Sequence, residues 1–258
     1  MMNSVKTTSA MLIFFLTSCT SNVTTPSISE NKQTADNAYT CDYKCDSMTT
    51  GGIIEWAIKM QEKEESRINV LTTNLLELSD QNTSKAIKKE IIAWNDLCTS
   101  LDQTTSQILK LKWWFGGSYG NAVKASTPLE IRFIRRACLD DDYNLLNGHN
   151  AQKSSYDNKN DIDIIECAVD SAMSQVSMAN VDSSLFEYKY YGTLEEYEQC
   201  FNLCRNDAAK LKFQIKKWLE ARNEVALTLN KNIQKTYYNH NQKTINSLSK
   251  VIYGCLAD

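Results

Sequence analysis

Cysteine is the residue type whose number and position could carry chemistry in this chain of 258 residues, which contains nine cysteines. The first of them ends the run Leu16-Thr17-Ser18-Cys19, which follows an apolar stretch and looks like a bacterial lipobox. In a lipobox the cysteine receives a lipid and becomes the new N-terminus, so we expect Cys19 to be lipidated. The alternative is an ordinary secretory signal that happens to contain a cysteine.

The other eight cysteines belong to the part of the chain that should fold. An even number of cysteines in an exported chain is most simply explained by four disulfides. A four-thiolate zinc site built from Cys41-x3-Cys45 and Cys200-x3-Cys204 is the alternative, but an oxidising compartment and the shorter spacing usual in zinc sites disfavour it. We therefore predict disulfides, no metal and no other cofactor. The eight cysteines are Cys41, Cys45, Cys98, Cys138, Cys167, Cys200, Cys204 and Cys255.

The segments around Cys19 have the composition of a lipoprotein leader and tether. Residues 1–18 carry one lysine and a short apolar run, which is typical of a signal peptide and too short for a permanent transmembrane helix. Residues 19–40 are polar and lack periodicity, which predicts a flexible tether. Thr20 after the lipidated cysteine favours transfer to the outer membrane of a bacterial cell envelope, facing the periplasm.

The net charge limits the classes of partner. The formal charge is −3 for the whole chain and becomes −4 without residues 1–18, because Lys6 is lost and no acid is lost. No basic cluster with interleaved aromatic residues occurs, which argues against nucleic acid. A mildly acidic protein can be attracted to a cationic protein partner.

No recognisable catalytic motif occurs in the sequence, so we predict that the protein is not an enzyme. The two histidines, His149 and His240, fall in a linker and at a helix start, where we expect them to face solvent. Asp140-Asp141-Asp142 and Asp161-Ile162-Asp163 lack the spacing of a calcium loop. We interpret them as a solvated helix end and as a helix N-terminus favoured by its dipole.

Helical periodicity dominates the sequence, which contains only eight glycines and two prolines. The first set of predicted helices comprises residues 53–80, a Trp-centred stretch from Ile87 to Ile108, and a short helix that a capping box at Thr127 opens and Asn147-Gly148 ends. The polar residues 149–161 read as a linker.

The second set repeats the order long, long, short. It comprises a helix from Ile162 to Gly192, a helix opened by a capping box at Thr193, and a last helix at about 240–256. With an offset of 124 residues, Trp94 matches Trp218 and Cys98 matches Arg222. The fold class predicted is all-α, with two tandem disulfide-stapled three-helix units, 41–148 and 162–258, that each bury a small core.

Counting along antiparallel helices from their predicted turns indicates which cysteines could meet. A loop at 112–127 brings Cys98 within reach of Cys138, and turns at 192 and near 236 place Cys167 level with Cys255. Elimination leaves the two Cys-x3-Cys pairs to cross-link to each other, Cys41 and Cys45 with Cys200 and Cys204.

The stretch between the second and third helices is the strongest candidate for binding a partner. It is rich in aromatic residues beside flexible glycines, and Trp and Tyr are frequent interface anchors. The alternative is that the tryptophans fold over the end of the helices. The candidate residues are Trp113, Trp114, Phe115, Gly116, Gly117, Ser118 and Tyr119.

These features together resemble the LprI-type lysozyme-inhibitor family of exported bacterial proteins. The resemblance covers about 41–146 and, more loosely, 163–256. It departs from the family where Trp56 stands near the position expected for a second cysteine of the first helix. The residues that carry it are Ile68-Asn69, Ile91, Trp94, Cys98, Gly116-Gly117-Ser118, Cys138-Leu139, Asp182-x2-Leu185-x2-Tyr188, Gln214, Trp218-Leu219, Arg222 and Cys255-Leu256.

The resemblance implies a lipid-anchored envelope protein that binds and inhibits lysozyme or a related muramidase. In this hypothesis the aromatic loop enters the cleft of the glycan-cleaving enzyme and stacks where sugar rings normally lie. The alternative is a non-enzymatic envelope interaction module, such as an immunity or assembly factor.

Overall fold

The computed structural model describes residues 49–112, 118–148, 161–177 and 193–254. These residues form six α-helices and no strand, which confirms the prediction of an all-α chain. The helices are α1 Thr50–Leu78, α2 Gln81–Lys112, α3 Ser118–Leu146, α4 Asp161–Gln175, α5 Leu194–Thr228 and α6 Lys231–Gly254. The chain divides into two compact units, 1–53 and 54–258, and of the first only 49–53, the beginning of α1, is described.

Local sequence signals account for several helix ends. Asp80 caps α2, because its carboxylate accepts a hydrogen bond from the Thr83 backbone N–H at 2.7 Å. The predicted capping box at Thr193 is confirmed: its hydroxyl accepts from the Glu196 N–H at 3.2 Å, and the Glu196 carboxylate accepts from the Thr193 N–H at 2.7 Å. Gly148 follows α3 with φ of 77°, as a helix-ending glycine does.

The two predicted sets of helices pack against each other instead of burying separate cores. Helix α2 of the first set makes its most extensive contacts with α5 of the second, and α3 and α4 both pack against α6. The main core therefore mixes side chains from both sets. Its largest members include Trp94, Leu97, Leu101, Ile108, Leu211, Ile215, Trp218 and Ile245.

Helix α1 is joined to α3 by polar contacts from its charged stretch. Glu64 is fully buried and accepts from Arg136 Nε at 2.7 Å, while Glu65 accepts from Arg132 Nε at 3.1 Å. Gln61 donates to the Ala125 carbonyl at 2.9 Å. The charges at 62–67, which interrupt the apolar stripe of α1, thus hold α1 against α3.

The predicted start of the third helix at Thr127 is corrected by the structure, because α3 begins nine residues earlier, at Ser118. Pro128 lies inside α3, where it cannot donate a backbone hydrogen bond. The hydroxyls of Ser126 and Thr127 donate to the Val123 carbonyl one turn earlier, both at 3.0 Å, as such side chains do inside a helix. Thr127 is therefore an interior residue of the helix.

Two further boundaries of the second set differ from the prediction. Helix α4 ends at Gln175, while 178–192, into which the predicted helix extended, lie outside the described residues. The last helix begins at Lys231, not near 240, so the preceding turn is at Leu229 and Asn230.

The disulfides were predicted by counting along the helices from the predicted turns, and the observed helix boundaries change those counts. Cys98 lies 14 residues before the end of α2 at Lys112, and Cys138 lies 20 residues after the start of α3 at Ser118. The difference of six residues corresponds to about 9 Å along the helix axes, whereas a disulfide needs Cα atoms within about 7 Å. Both cysteines carry free thiols, so the predicted Cys98–Cys138 bond is not formed.

The remaining predicted pairings involve cysteines outside the described residues, namely Cys41, Cys45 and Cys255. The pairing of Cys167 with Cys255 relied on a turn near 236, which the structure places at 229–230. Cys167, Cys200 and Cys204 carry free thiols in the structure.

Candidate functional site

Within the unit 54–258, the two tryptophans that match at an offset of 124 residues contact each other. Helices α2 and α5 run antiparallel, since Thr83 bonds Thr228 near one end and Asp96 pairs with Lys217 further along. Trp94 and Trp218 meet edge to face, with ring centroids 5.3 Å apart and planes at 65°.

A buried ion pair lies directly beside this contact. Arg135 of α3 donates two hydrogen bonds to Glu90 of α2, at 2.6 and 2.7 Å, and both side chains are about 3% exposed. Trp218 Nε1 donates to the same carboxylate at 2.7 Å, and the Arg135 guanidinium lies 4.8 Å from the centre of the Trp94 ring. Burial alone would raise the pKa of Glu90, but Arg135 outweighs it and holds this pKa below its usual value.

A second buried ion pair joins α5 to α3. Arg222 donates from Nη1 and Nη2 to the Asp142 carboxylate, at 2.5 and 3.0 Å, and from Nε to Asn241 Oδ1 at 2.6 Å. Its guanidinium lies 4.0 Å from the centre of the Tyr237 ring. Burial opposes ionisation of Asp142, but the charge of Arg222 holds its pKa below the usual value. Arg222, which lies 124 residues after Cys98, therefore neutralises a buried carboxylate.

Two expectations about polar residues are corrected here. His240 is buried, not solvent-facing, and its Nδ1 lies 3.6 Å from Asp142 Oδ1, which is longer than a hydrogen bond. The run at 140–142 is not simply a solvated helix end: Asp142 is buried, while Asp141 pairs with Lys243 at 2.9 Å and Asp140 pairs with Arg136 at 3.1 Å. His149 lies outside the described residues.

The two cysteine thiols of α2 and α3 are unreactive in this environment. Burial raises the pKa of Cys138 to about 11, although Arg222 and Arg135 act in the opposite direction. Burial likewise raises the pKa of Cys98 to about 12. Both are protonated at neutral pH, whereas the thiolate is the nucleophilic form.

We call this set the buried charge network: Glu90, Arg135, Asp142, Arg222 and the neutral groups bonded to them. It contains two negative and two positive charges, which neutralise each other. Its members come from α2, α3, α5 and α6, so it fixes the rotation of four helices relative to one another. Its charged groups are at most 3% exposed and are bonded to one another inside the molecule.

The predicted partner-binding residues lie, in the sequence, between α2 and α3 and at the start of α3. Trp113 to Gly117 lie outside the described residues, and Ser118 and Tyr119 open α3, with side chains that are not described. Cys19, the predicted lipidation site, also lies outside the described residues.

Apolar side chains of the helices on both sides of residues 113–117 are buried. Leu109 and Leu111, just before them, are 4% and 3% exposed, and Ala122, just after them, is 2% exposed. The ends of α2 and α3 that flank residues 113–117 in the sequence are therefore packed into the molecule.

Five of the residues that carry the family resemblance lie inside the described structure and not on its surface. Trp94, Cys138, Leu139, Trp218 and Arg222 are all buried. The charged residues that complete the network, Glu90, Arg135 and Asp142, were missed as site residues. The sequence contained one signal for them, a charged residue where helical spacing predicts an apolar one. Glu90 lies three residues after Ile87 and four before Trp94, on the apolar face of the same helix.

Comparisons of the chain with protein-family models, with curated proteins and with solved structures found no match. Within residues 49–112, 118–148, 161–177 and 193–254, no group of three or more His, Cys, Asp or Glu side chains is arranged to hold a metal. The helices of these same ranges include none that is long and apolar enough to cross a membrane.

Glu130 of α3 should make stability depend on pH. Burial raises the pKa of Glu130 to about 7, against about 4.3 in an unfolded chain. Because the folded pKa is the higher one, the group favours folding below about pH 4, and this contribution is lost as the pH rises through about 7. We expect E130Q to melt at least about 2 °C above the wild type at pH 8. The difference should vanish near pH 4.

Thermal unfolding followed by circular dichroism at pH 4, 6 and 8 checks this. E77Q, at an exposed glutamate of α1, is the matched control and should track the wild type throughout. A gain for E130Q that is the same at every pH would mean that the carboxyl charge is not its source.

Proposed function

We propose that this protein is a lipid-anchored protein of the bacterial cell envelope that binds and inhibits lysozyme or a related muramidase. The observation that supports this most directly is the burial of Leu109, Leu111 and Ala122, in the two helix ends that flank the aromatic sequence 113–117. Binding residues on a short loop, positioned by a stable scaffold, are a common arrangement in recognition proteins. Inhibition by occupying a cleft needs no catalytic residue.

The proposed mode of binding uses the aromatic side chains as anchors. Trp113, Trp114, Phe115 and Tyr119 offer large flat surfaces of the kind that stack where sugar rings lie, and such residues dominate binding energy at many interfaces. The buried charge network supports this mode, because a scaffold that resists rearrangement lowers the entropic cost of presenting the loop.

The proposed location and charge agree with this function. A lipid on Cys19 and the tether 19–40 would hold the protein at the outer membrane, facing the periplasm. The formal charge, −3 for the whole chain and −4 without residues 1–18, favours encounter with a cationic lysozyme through long-range attraction, which salt would weaken.

We also propose that the two sets of helices are tandem copies of one three-helix unit that pack face to face. Trp94 and Trp218, which match at an offset of 124, contact each other, as equivalent residues do at a two-fold interface. The copies differ where Arg222 replaces a cysteine.

Inhibition of lysozyme-driven cell-wall lysis by the purified protein tests the proposed function. We expect inhibition near one-to-one stoichiometry, and at least about a tenfold loss for W113A/W114A/Y119A, because each anchor of this kind contributes about 2 kcal/mol or more. F213A removes an exposed aromatic side chain of α5 that is not one of the proposed anchors, so this variant should inhibit like the wild type.

Two outcomes would contradict the proposal in different ways. No inhibition of any lysozyme class at micromolar protein would reject the function and favour the envelope interaction module. Full inhibition by the folded triple variant would keep the function and reject the loop as its site.

A further inference from the structure

Away from the buried charge network, sulfur-bearing side chains come together between α4 and α5. The Cys204 thiol donates to the Met173 thioether sulfur at 3.4 Å, and Cys204 is fully buried. Cys200 lies one helical turn before Cys204, on the same face of α5. We call Met173, Cys200 and Cys204 the sulfur cluster.

The packing of the two helices places Cys200 in this cluster. Tyr197 donates from its hydroxyl to the Val176 carbonyl at 3.0 Å, which sets the register between α4 and α5. The contact of Cys204 with Met173 is the next point at which the two helices meet, and Cys200 lies between Tyr197 and Cys204 along α5. Met173 and Cys200 are both partly buried and pack against the same core. Cys200 therefore belongs to the same contact between α4 and α5, one helical turn from the Cys204 that Met173 touches.

The chemistry of these side chains selects a class of ligand. Thiolate and thioether sulfurs are soft donors, which prefer soft cations such as Cu⁺ and are poor ligands for Mg²⁺ or Ca²⁺. A cation bound here would replace the protons of the two thiols, which pass to solvent, and no electron is transferred. Because Cys200 and Met173 are partly exposed, a cation can enter past them and meet Cys204 at the buried end.

We propose that Met173, Cys200 and Cys204 form a binding site for a soft monovalent cation, Cu⁺ or Ag⁺. This site lies beyond the proposed function and does not depend on it. It replaces the expectation that Cys200 and Cys204 are cross-linked to Cys41 and Cys45, since it requires both thiols to be free, as they are in the structure.

Anaerobic titration of the full-length protein with Cu⁺ against the chelator bicinchoninate tests the site. A strong chelator removes Cu⁺ from single thiols, so that a site with several ligands is the one retained. We expect one retained Cu⁺ per chain, no retention by C200S or C204A, and about tenfold weaker retention by M173L. X-ray absorption of the copper-loaded protein should show only sulfur in the first coordination shell.

Matched controls separate this site from the other sulfurs. C167S removes an exposed thiol of α4, and M60L removes a buried thioether of α1, and both should retain copper like the wild type. C200S changes a partly exposed residue and should fold even if C204A does not. Retention by C200S, no retention by the wild type, or a thiol count showing Cys200 and Cys204 oxidised in the isolated protein would each overturn the proposal.

Discussion

Replacing Arg222 by alanine is expected to destabilise the protein by about 3–5 kcal/mol, because it leaves the Asp142 carboxylate buried without its countercharge. Asp142 is 2% exposed and receives two of its hydrogen bonds from Arg222, so water cannot replace the lost partner. Asn241 loses its donor as well. Urea unfolding at pH 7, followed by circular dichroism, measures the change against a total stability that is typically about 5–15 kcal/mol.

Two comparisons separate the buried charge from the lost side-chain volume. The double variant R222M/D142L removes both charges and should recover most of the stability, since apolar replacements of buried ion pairs are often neutral. K89A breaks the exposed pair of Lys89 and Glu224 and should cost about 1 kcal/mol or less. If R222A cost no more than K89A, the network would not stabilise the fold.

Acid unfolding gives an independent readout of the same pair. Arg222 holds the pKa of Asp142 below its usual value, so the stabilisation is present above about pH 4 and is lost as the pH falls below it. The stability of R222M/D142L should therefore fall less steeply in acid than that of the wild type.

The second large effect is expected for W218A, with a loss of about 3–5 kcal/mol. Trp218 is fully buried at the centre of the main core, where it meets Trp94 at 5.3 Å and donates to Glu90 at 2.7 Å. The truncation leaves a cavity between α2 and α5 and removes one hydrogen bond from a buried carboxylate.

The conservative variant W218F separates the loss of the hydrogen bond to Glu90 from most of the loss of packing. It keeps much of the ring but lacks the N–H, so we expect a loss of about 1–3 kcal/mol. F213A, on the same helix but 59% exposed, should change stability by no more than about 0.5 kcal/mol. Equal losses for W218A and F213A would mean that the two tryptophans do not organise the core.

Several residues that carry the family resemblance are buried, so they cannot themselves form a binding surface. Trp94, Trp218 and Arg222 make contacts within the protein and present no surface to a partner. A lysozyme-binding surface would have to lie elsewhere, and we assign it to the aromatic sequence 113–117.

Local rules predicted several features correctly because their causes are local. The all-α class follows from apolar stripes with helical spacing, and the capping box at Thr193 needs only residues three apart. Thr127 shows where such a rule fails. It precedes a proline and is followed by a glutamate three residues later, yet α3 runs through it, and its hydroxyl donates to the Val123 carbonyl inside the helix instead of capping a helix start.

What the sequence by itself determined is the helical class, most helix positions and the matched pair Trp94 and Trp218. What only the tertiary structure decided is which helices share a core and which charges are neutralised. Glu90 and Arg135 are 45 residues apart in the chain, and Asp142 and Arg222 are 80 apart. The spacing along one helix cannot reveal such partners, because a buried charge depends on the rotation and register of a different helix. The same reason explains the cysteines, whose pairing changes when a turn moves by a few residues.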